Sequence, residues 1–317
     1  MSFSTDIKQE IANNELESHC QRAQLSALTK LTSSLIFTSN GFGLSYASES
    51  PTTSKRTVYL LKELFDARTQ LEVARKTNLK KNNVYKITID SDGRKILEEL
   101  GLYSSRGLEK HPGHEIVTRN CCAAAYLAGA FLAYGSCNDP QNASYHLEIA
   151  VNDLEQANFL LRLISRFSLQ AKIAKRRSRY IVYLKKADYV SDFLTLIGAH
   201  NAKMRFEDER IGRDIRNSLS RIDNCEIANE EKIIRAGEKQ LNSIKTIIDA
   251  GAYDKLPEKL KTVAEVRQKY PESSLLELCD YHQKMFGGTI SKSGMKHRLS
   301  RINELADVYR EKENETL

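Results

Sequence analysis

Tyr126-Leu-Ala-Gly-Ala-Phe-Leu-Ala-Tyr-Gly135 lies inside the longest uncharged apolar run of the chain, Cys121 to Gly135, which is 15 residues long. A helix that crosses a bilayer needs roughly 20 such residues, so the run predicts a buried helix over 120–135 and no membrane span. Ala125, Gly129 and Ala133 recur at every fourth position and share one helical face. That face has almost no side chains, so a second helix backbone can approach it closely. The partner has to come from elsewhere in the chain.

A duplication supplies it. Tyr59-Leu-Leu-Lys62 answers Phe159-Leu-Leu-Arg162, Gln70-Leu-Glu-Val-Ala-Arg-Lys76 answers Gln170-Ala-Lys-Ile-Ala-Lys-Arg176, and Leu25-Ser-Ala-Leu28 lines up with Leu127-Ala-Gly-Ala130. After a three-residue slip, Ile96-Leu97 and Leu100-Gly101 answer Phe193-Leu194 and Ile197-Gly198. Matches that keep one order and nearly one offset mark a repeated unit. Each copy reads as a leading helix (about 20–36 and 120–135), short strands (Gly43 to Ser48; Tyr145 to Val151) and a second helix (55–66; 153–167). A β-hairpin (69–89; 169–186) and a closing helix (92–101; 187–198) follow, the helix ended by Gly101 or Gly198. The fold class is α+β, a pseudo-symmetric domain over 1–200 in which helix-strand-strand-helix-strand-strand-helix occurs twice, with copies at about 20–104 and 120–200. Pairing of the leading helices through Ala23, Ala27 and Gly129 would set the strands side by side as one concave sheet.

The chain has 317 residues, 41% hydrophobic and 28% charged, with a net charge of +7. These are the proportions of an ordinary globular protein of about two domains. The basic residues are unevenly placed. Arg75 to Lys86, Lys172 to Lys186 and Lys284 to Asn303 contain no Asp or Glu and hold 17 of the 48 Lys and Arg, which leaves 31 against 41 acids, a net of −10, elsewhere. Positive islands on an acidic body are the footprint of phosphate binding. Two islands fall at equivalent places in the two hairpins, and there Arg75, Lys76, Lys80 and Lys81 with Lys175, Arg176, Arg177 and Arg179 are the candidate phosphate contacts.

Leu127-Ala-Gly-Ala-Phe-Leu-Ala-Tyr-Gly135 looks like a LAGLIDADG helix, and the doubled unit resembles a single-chain LAGLIDADG homing endonuclease. The resemblance implies nonapeptide helices packed at the domain centre and two sheets forming a saddle over duplex DNA. It also implies an acid at the eighth position of each motif, on the catalytic metal. Here the eighth positions are Tyr134 and Thr32, and the sixth are Leu132 and Lys30. Metal-assisted phosphodiester hydrolysis needs carboxylate oxygens, so no catalytic residue and no metal are expected at these positions. Asp139 is the nearest acid but reads as part of an Asn-Asp-Pro turn; a residual metal-dependent nuclease using it is the enzymatic alternative.

Beyond about residue 200 the pattern becomes purely helical. Residues 201–221, with Lys203, Arg205, Arg210, Arg213, Arg216 and Arg221, read as an exposed linker helix, and 222–317 as a helical domain. Ile227, Ile234, Leu241, Ile244 and Ile248 form the apolar stripe of a long helix that Gly251 stops. Pro257 fits the start of the next helix and Pro271 its end, and Ser274 with Glu277 makes a capping box. After Gly287-Gly288, Ser291 is the expected N-cap of a last helix whose Met295, Leu299, Ile302 and Ala306 share a packing face. The other side presents Ser293, Lys296, His297, Ser300 and Arg301, flanked by Lys292 and Arg298. This is how the recognition helix of a helix-turn-helix presents itself to the major groove.

A degenerate LAGLIDADG repeat followed by a helix-turn-helix resembles the WhiA family of Gram-positive bacteria, with Met204-Arg-Phe-Glu-Asp208, Arg213-Asp-Ile-Arg-Asn217 and Ser291-Lys-Ser-Gly294 as further points of likeness. The resemblance implies a DNA-binding regulator of transcription without nuclease activity. In that family it is tied to sporulation genes in actinobacteria, and to cell division and chromosome segregation elsewhere. The implied partners are double-stranded DNA and another transcription factor or RNA polymerase, in the cytoplasm on the nucleoid, with no cofactor and no membrane. A protein-binding saddle, with DNA left to the C-terminal domain alone, is the other alternative. His111-Pro-Gly-His114 reads as a turn and Cys121-Cys122 as buried filler, since no Cys-x-x-Cys occurs. The N-terminus lacks the pattern of a signal peptide, so the six cysteines are expected to stay reduced.

Overall fold

A helix that the repeat pattern did not announce opens the chain. In the computed structural model, which describes residues 2–38, 41–75, 83–142 and 144–315, α1 (Phe3–Asn13) is capped by the Ser2 hydroxyl, which accepts from the Thr5 N–H, and is seated by Phe3, Ile7 and Ile11. The first copy follows as α2 (Ser18–Thr32), β1 (Ser33–Thr38), β2 (Gly41–Ser48), α3 (Pro51–Phe65), β3 (Gln70–Arg75), β4 (Asn83–Ile89) and α4 (Gly93–Glu99). A small hairpin, β5 (Tyr103–Ser104) with β6 (Gly107–Leu108), and one helical turn, α5 (His114–Val117), lead into the second copy. That copy is α6 (Asn120–Tyr134), β7 (Gly135–Cys137), β8 (Leu147–Val151), α7 (Leu154–Ser165), β9 (Lys172–Arg176), β10 (Arg179–Leu184) and α8 (Ala187–Leu196).

The leading helices pair as their small residues require. A Cβ on Gly129 would lie 2.4 Å from the Gln24 carbonyl oxygen and 2.9 Å from the Ala27 Cβ, so only glycine permits this approach. Tyr126, Leu127, Ala130, Phe131 and Leu132 are fully buried around the contact. The first leading helix stops at Thr32 and not near 36. Thr32 and Ser33 turn their hydroxyls back onto the carbonyls of Leu28 and Thr29, 2.7 Å each, and Ser-Ser-Leu-Ile-Phe-Thr then pairs with β2.

Among the described residues the strands of the two copies form two separate antiparallel four-stranded sheets, β1-β2-β4-β3 and β7-β8-β10-β9, which corrects the expectation of one concave sheet. The reason is local. β1 and β7 each start on the residue after their leading helix and close against the next strand of their own copy. Tyr145, expected within a strand, lies before β8, where its ring packs on Phe206 at 5.1 Å and under the Arg213 guanidinium at 4.8 Å.

The chain divides into two compact units, Met1–Arg213 and Asp214–Leu317. The helix expected over 201–221 and the one expected to follow it are a single helix, α9 (His200–Asp249). Its first N–H groups are satisfied by the Glu10 carboxylate, which accepts from Asn201 at 2.7 Å and Ala202 at 3.0 Å. Several of its basic residues are tied down: Arg205 pairs with Asp6 at 3.0 Å, Arg210 with Asp188 at 2.7 Å, and Arg213 donates to the carbonyls of Pro140 and Asn142. Ile227, Ile234 and Ile248 are exposed, and the residues that α9 buries in the second unit are Gly237, Ser243, Ile244 and Ile247. A 3-10 turn (Tyr253–Lys255), α10 (Glu258–Lys269), α11 (Leu275–Phe286) and α12 (Lys292–Glu315) complete that unit. Its core joins Ile244 and Ile247 to Val263, Leu278, Met295, Leu299 and Ile302.

Candidate nucleic-acid interface

Strand alternation decides which basic side chains share a face. In the second sheet Leu147, Ile149, Val151, Val182 and Leu184 are buried on the helix side. Register then puts Arg179, Arg176 and Lys172 on the opposite, open face, because Arg179 pairs with Arg176 and Tyr183 with Lys172. Lys175 pairs with Tyr180 on the helix side, its ammonium 5.9 Å from the ring centroid. Arg177 occupies the hairpin turn with φ 55°.

In the first sheet Leu44, Tyr46, Ile87 and Ile89 are buried on the helix side, so Lys86 and the Glu72 opposite it lie on the open face. Arg75 falls on the helix side with Leu71 and Val73. Lys76, Lys80 and Lys81 lie outside the described residues. The open faces therefore carry Arg176 and Arg179 of the expected set. They also carry Lys86 and Lys172, which counting in twos from the buried residues of each strand would have identified.

Two acids temper these faces. Glu148 is hydrogen-bonded to His146 at 2.8 Å and pairs with Arg176 at 3.6 Å, and Glu72 stands across from Lys86. A cleft of about 630 Å³ is lined by Lys8, Ser48, Val84, Tyr134 and Arg179, and so draws on α1, both sheets and the end of α6. Burial pushes the Lys8 ammonium down to about 8. The Arg179 guanidinium lies over the Tyr134 ring, 5.1 Å from its centroid.

The positions where a nuclease would hold its acids are chemically committed. The Thr32 hydroxyl donates to the Leu28 carbonyl, Leu132 is fully buried, and the Lys30 ammonium donates to the Glu109 carbonyl at 2.8 Å, its pKa lowered by burial. Asp139 does form a turn: its carboxylate accepts from the Gln141 N–H at 3.0 Å and faces Arg205 at 3.7 Å.

In the second unit the helix-turn-helix elements are α11, a turn and α12. The capping box at Ser274 and Glu277 starts α11, and Gly287, with φ 77°, ends it in a conformation that favours glycine. Buried His282 reaches Thr262 at 3.3 Å and the Gly288 carbonyl at 3.4 Å, which fixes the turn. Ser291 caps α12 by accepting from the Gly294 N–H at 3.1 Å. Met295, Leu299, Ile302 and Ala306 are fully buried, and this leaves Lys292, Ser293, Lys296, His297, Ser300 and Arg301 exposed, with Arg298 half-buried. The first acid on α12 is Glu304, which pairs with Arg301 at 2.7 Å.

His111 and His114 are not brought together. His111 stacks on Phe159 at 5.0 Å, while His114 bonds to Thr118 at 3.1 Å. Cys121 is exposed, so the Cys-Cys pair is not simple filler; with Cys122 it stands beside His19 and Cys20. Adjacency across the repeat was the signal, since 19 and 20 align with 121 and 122 at the offset that aligns Leu25 with Leu127.

Comparison with known proteins gives a consistent result. Residues 18–103 match the WhiA N-terminal LAGLIDADG-like domain, 123–216 the WhiA LAGLIDADG-like domain, and 219–306 the WhiA C-terminal HTH domain. A Brevibacillus brevis protein named "Probable cell division protein WhiA" is 41% identical over 316 residues, 99% of each chain. One of the same name from Bacillus velezensis is 41% identical over 318 residues, covering 100% of both. The crystal structure of full-length DUF199/WhiA from Thermatoga maritima has the same fold at a TM-score of 0.59 and 23% identity, covering 97% of this chain and 98% of that one.

Proposed function

The chain belongs to the WhiA family, and from that premise we propose that it is a DNA-binding regulator of transcription that reads sequence and does not cut DNA. The observation that carries this reading is the exposed face of α12. It presents Lys292, Ser293, Lys296, His297 and Arg301 with no acid before Glu304, on a helix held in place by four fully buried side chains. In this reading α12 enters the major groove, and the open faces with Lys86, Lys172, Arg176 and Arg179 hold phosphates. Thr32 and Tyr134 in place of acids, and Asp139 engaged in its turn, support loss of the nuclease chemistry.

The relatives' names point to cell division as the process served, and the family resemblance adds chromosome segregation and sporulation as related settings. Double-stranded DNA is the proposed partner, with RNA polymerase or a second transcription factor as the protein contact, on the nucleoid.

Selection of bound duplexes from a random library, followed by titration of selected and random DNA at several salt concentrations, tests the reading. About six phosphate contacts predict a slope of log affinity on log salt near −5. A flat dependence, or no preference for the selected duplex, rules it out. Supercoiled plasmid should stay intact with magnesium or manganese; cleavage that Asp139→Asn abolishes would overturn the non-enzymatic part.

A further inference from the structure

Pairing of α2 with α6 also pairs their first turns. His19 and Cys20 are the second and third residues of α2, and Cys121 and Cys122 the second and third of α6. Each copy therefore contributes two donors at equivalent positions. One ligand atom from each of the four residues lies within 4.8 Å of all the others. His19 Nδ1 is 3.2 Å from Cys20 Sγ and 3.3 Å from Cys122 Sγ. A tetrahedral zinc, with Zn–S of about 2.3 Å and Zn–N of about 2.0 Å, sets sulfur and nitrogen about 3.5 Å apart. The donors are already close to the edges of such a tetrahedron.

We propose that His19, Cys20, Cys121 and Cys122 form a structural zinc site that staples the two copies together at the first turns of their leading helices. Three thiolates and one imidazole are a soft donor set, suited to zinc and unsuited to magnesium, calcium or manganese. All four positions are filled by protein, which is the arrangement of a structural and not a catalytic centre. Charge favours the place as well. Zn²⁺ with three thiolates and a neutral imidazole carries a net charge of −1, and it sits where two helices present their unsatisfied N–H groups and positive dipole ends. Loading displaces three thiol protons to solvent and oxidises nothing. Cys20 and Cys122 are buried and Cys121 is exposed, so an ion can enter from the Cys121 side. Thr32 and Tyr134 are the last residues of the same two helices. The proposed metal thus stands at the opposite end of the pair from the lost catalytic one.

The test uses the full chain purified under reducing conditions. Elemental analysis should find about one zinc per chain. Replacing zinc with cobalt should give the intense visible bands of tetrahedral Co²⁺ and thiolate charge-transfer absorption on the scale of three sulfurs. Cys122→Ser should weaken zinc binding more than about 100-fold in competition with a chromophoric chelator, beyond what outer-shell changes cost. Cys225→Ser and Cys279→Ser should leave it unchanged. If Cys122→Ser does not fold, the cobalt spectrum of the unaltered chain still decides. Substoichiometric metal after loading, an octahedral cobalt spectrum, full affinity in Cys122→Ser, or a disulfide among these cysteines in place of metal would each overturn the proposal.

Discussion

Gly129 is the residue on which the close approach of α2 and α6 depends. Gly129→Ala forces its Cβ against the backbone oxygen of Gln24 and the Cβ of Ala27. The helices must separate, and we expect a loss of about 3 kcal/mol in denaturant unfolding, the upper end of overpacking costs. Lys8 makes the opposite demand on its surroundings. Burial lowers its pKa from the ordinary 10.5 to about 8. Below about pH 8 the ammonium is charged in both states and its desolvation opposes folding. Between about 8 and 10.5 the folded chain has released a proton that the unfolded chain keeps, so stability rises with pH across that window. Relative to Lys8→Met, the unaltered chain should gain about 2 kcal/mol between pH 7.5 and 10, measured from denaturant midpoints. The glycine was legible in the sequence because small residues at four-residue spacing mean close approach. Lys8 was not, because α1 lies outside the repeat and its burial arises from packing that no local pattern encodes.

At the scale of the element, period-two alternation sorts an apparently uniform basic island. Replacing Arg176 and Arg179, on the open face, with Ala should lower the magnitude of the salt slope by about two and weaken random and selected DNA alike. Lys175→Ala, on the helix side, should change the slope much less. Replacing Lys296 and Arg301 on α12 should instead reduce discrimination between selected and random duplex about tenfold or more, read from paired titrations. Equal effects of the two pairs would mean that α12 does not read bases. The capping box of α11, the Ser291 cap and the packing face of α12 were all legible, since caps and helical periodicity are local chemistry. The end of α2 was misplaced because Thr32 and Ser33 can either continue a helix or turn their hydroxyls back on it, and the pairing partner of β1 decides. Of the apolar stripe expected on α9, Ile244 is in the core while Ile227, Ile234 and Ile248 are exposed, for a related reason: periodicity shows that Ile227 and Ile234 share a face, but not whether anything covers it.

For the whole molecule, the duplication was readable from four matched stretches, and with it the order of helices and strands. What it left open was how copies of one unit join. Two sheets replace the single one because each strand set closes within its own copy. The same unit has also been filled in unequal ways. The leading helix of one copy buries Gln24, Ser26 and Thr29, while that of the other is apolar almost throughout. One open face opposes Glu72 to Lys86, while the other gathers Lys172, Arg176 and Arg179 around Glu148. A dimer of identical subunits would treat both directions along a duplex alike and would suit a palindrome. Unequal copies fused in one chain give the protein a front and a back, so the DNA it settles on should be asymmetric and should orient it.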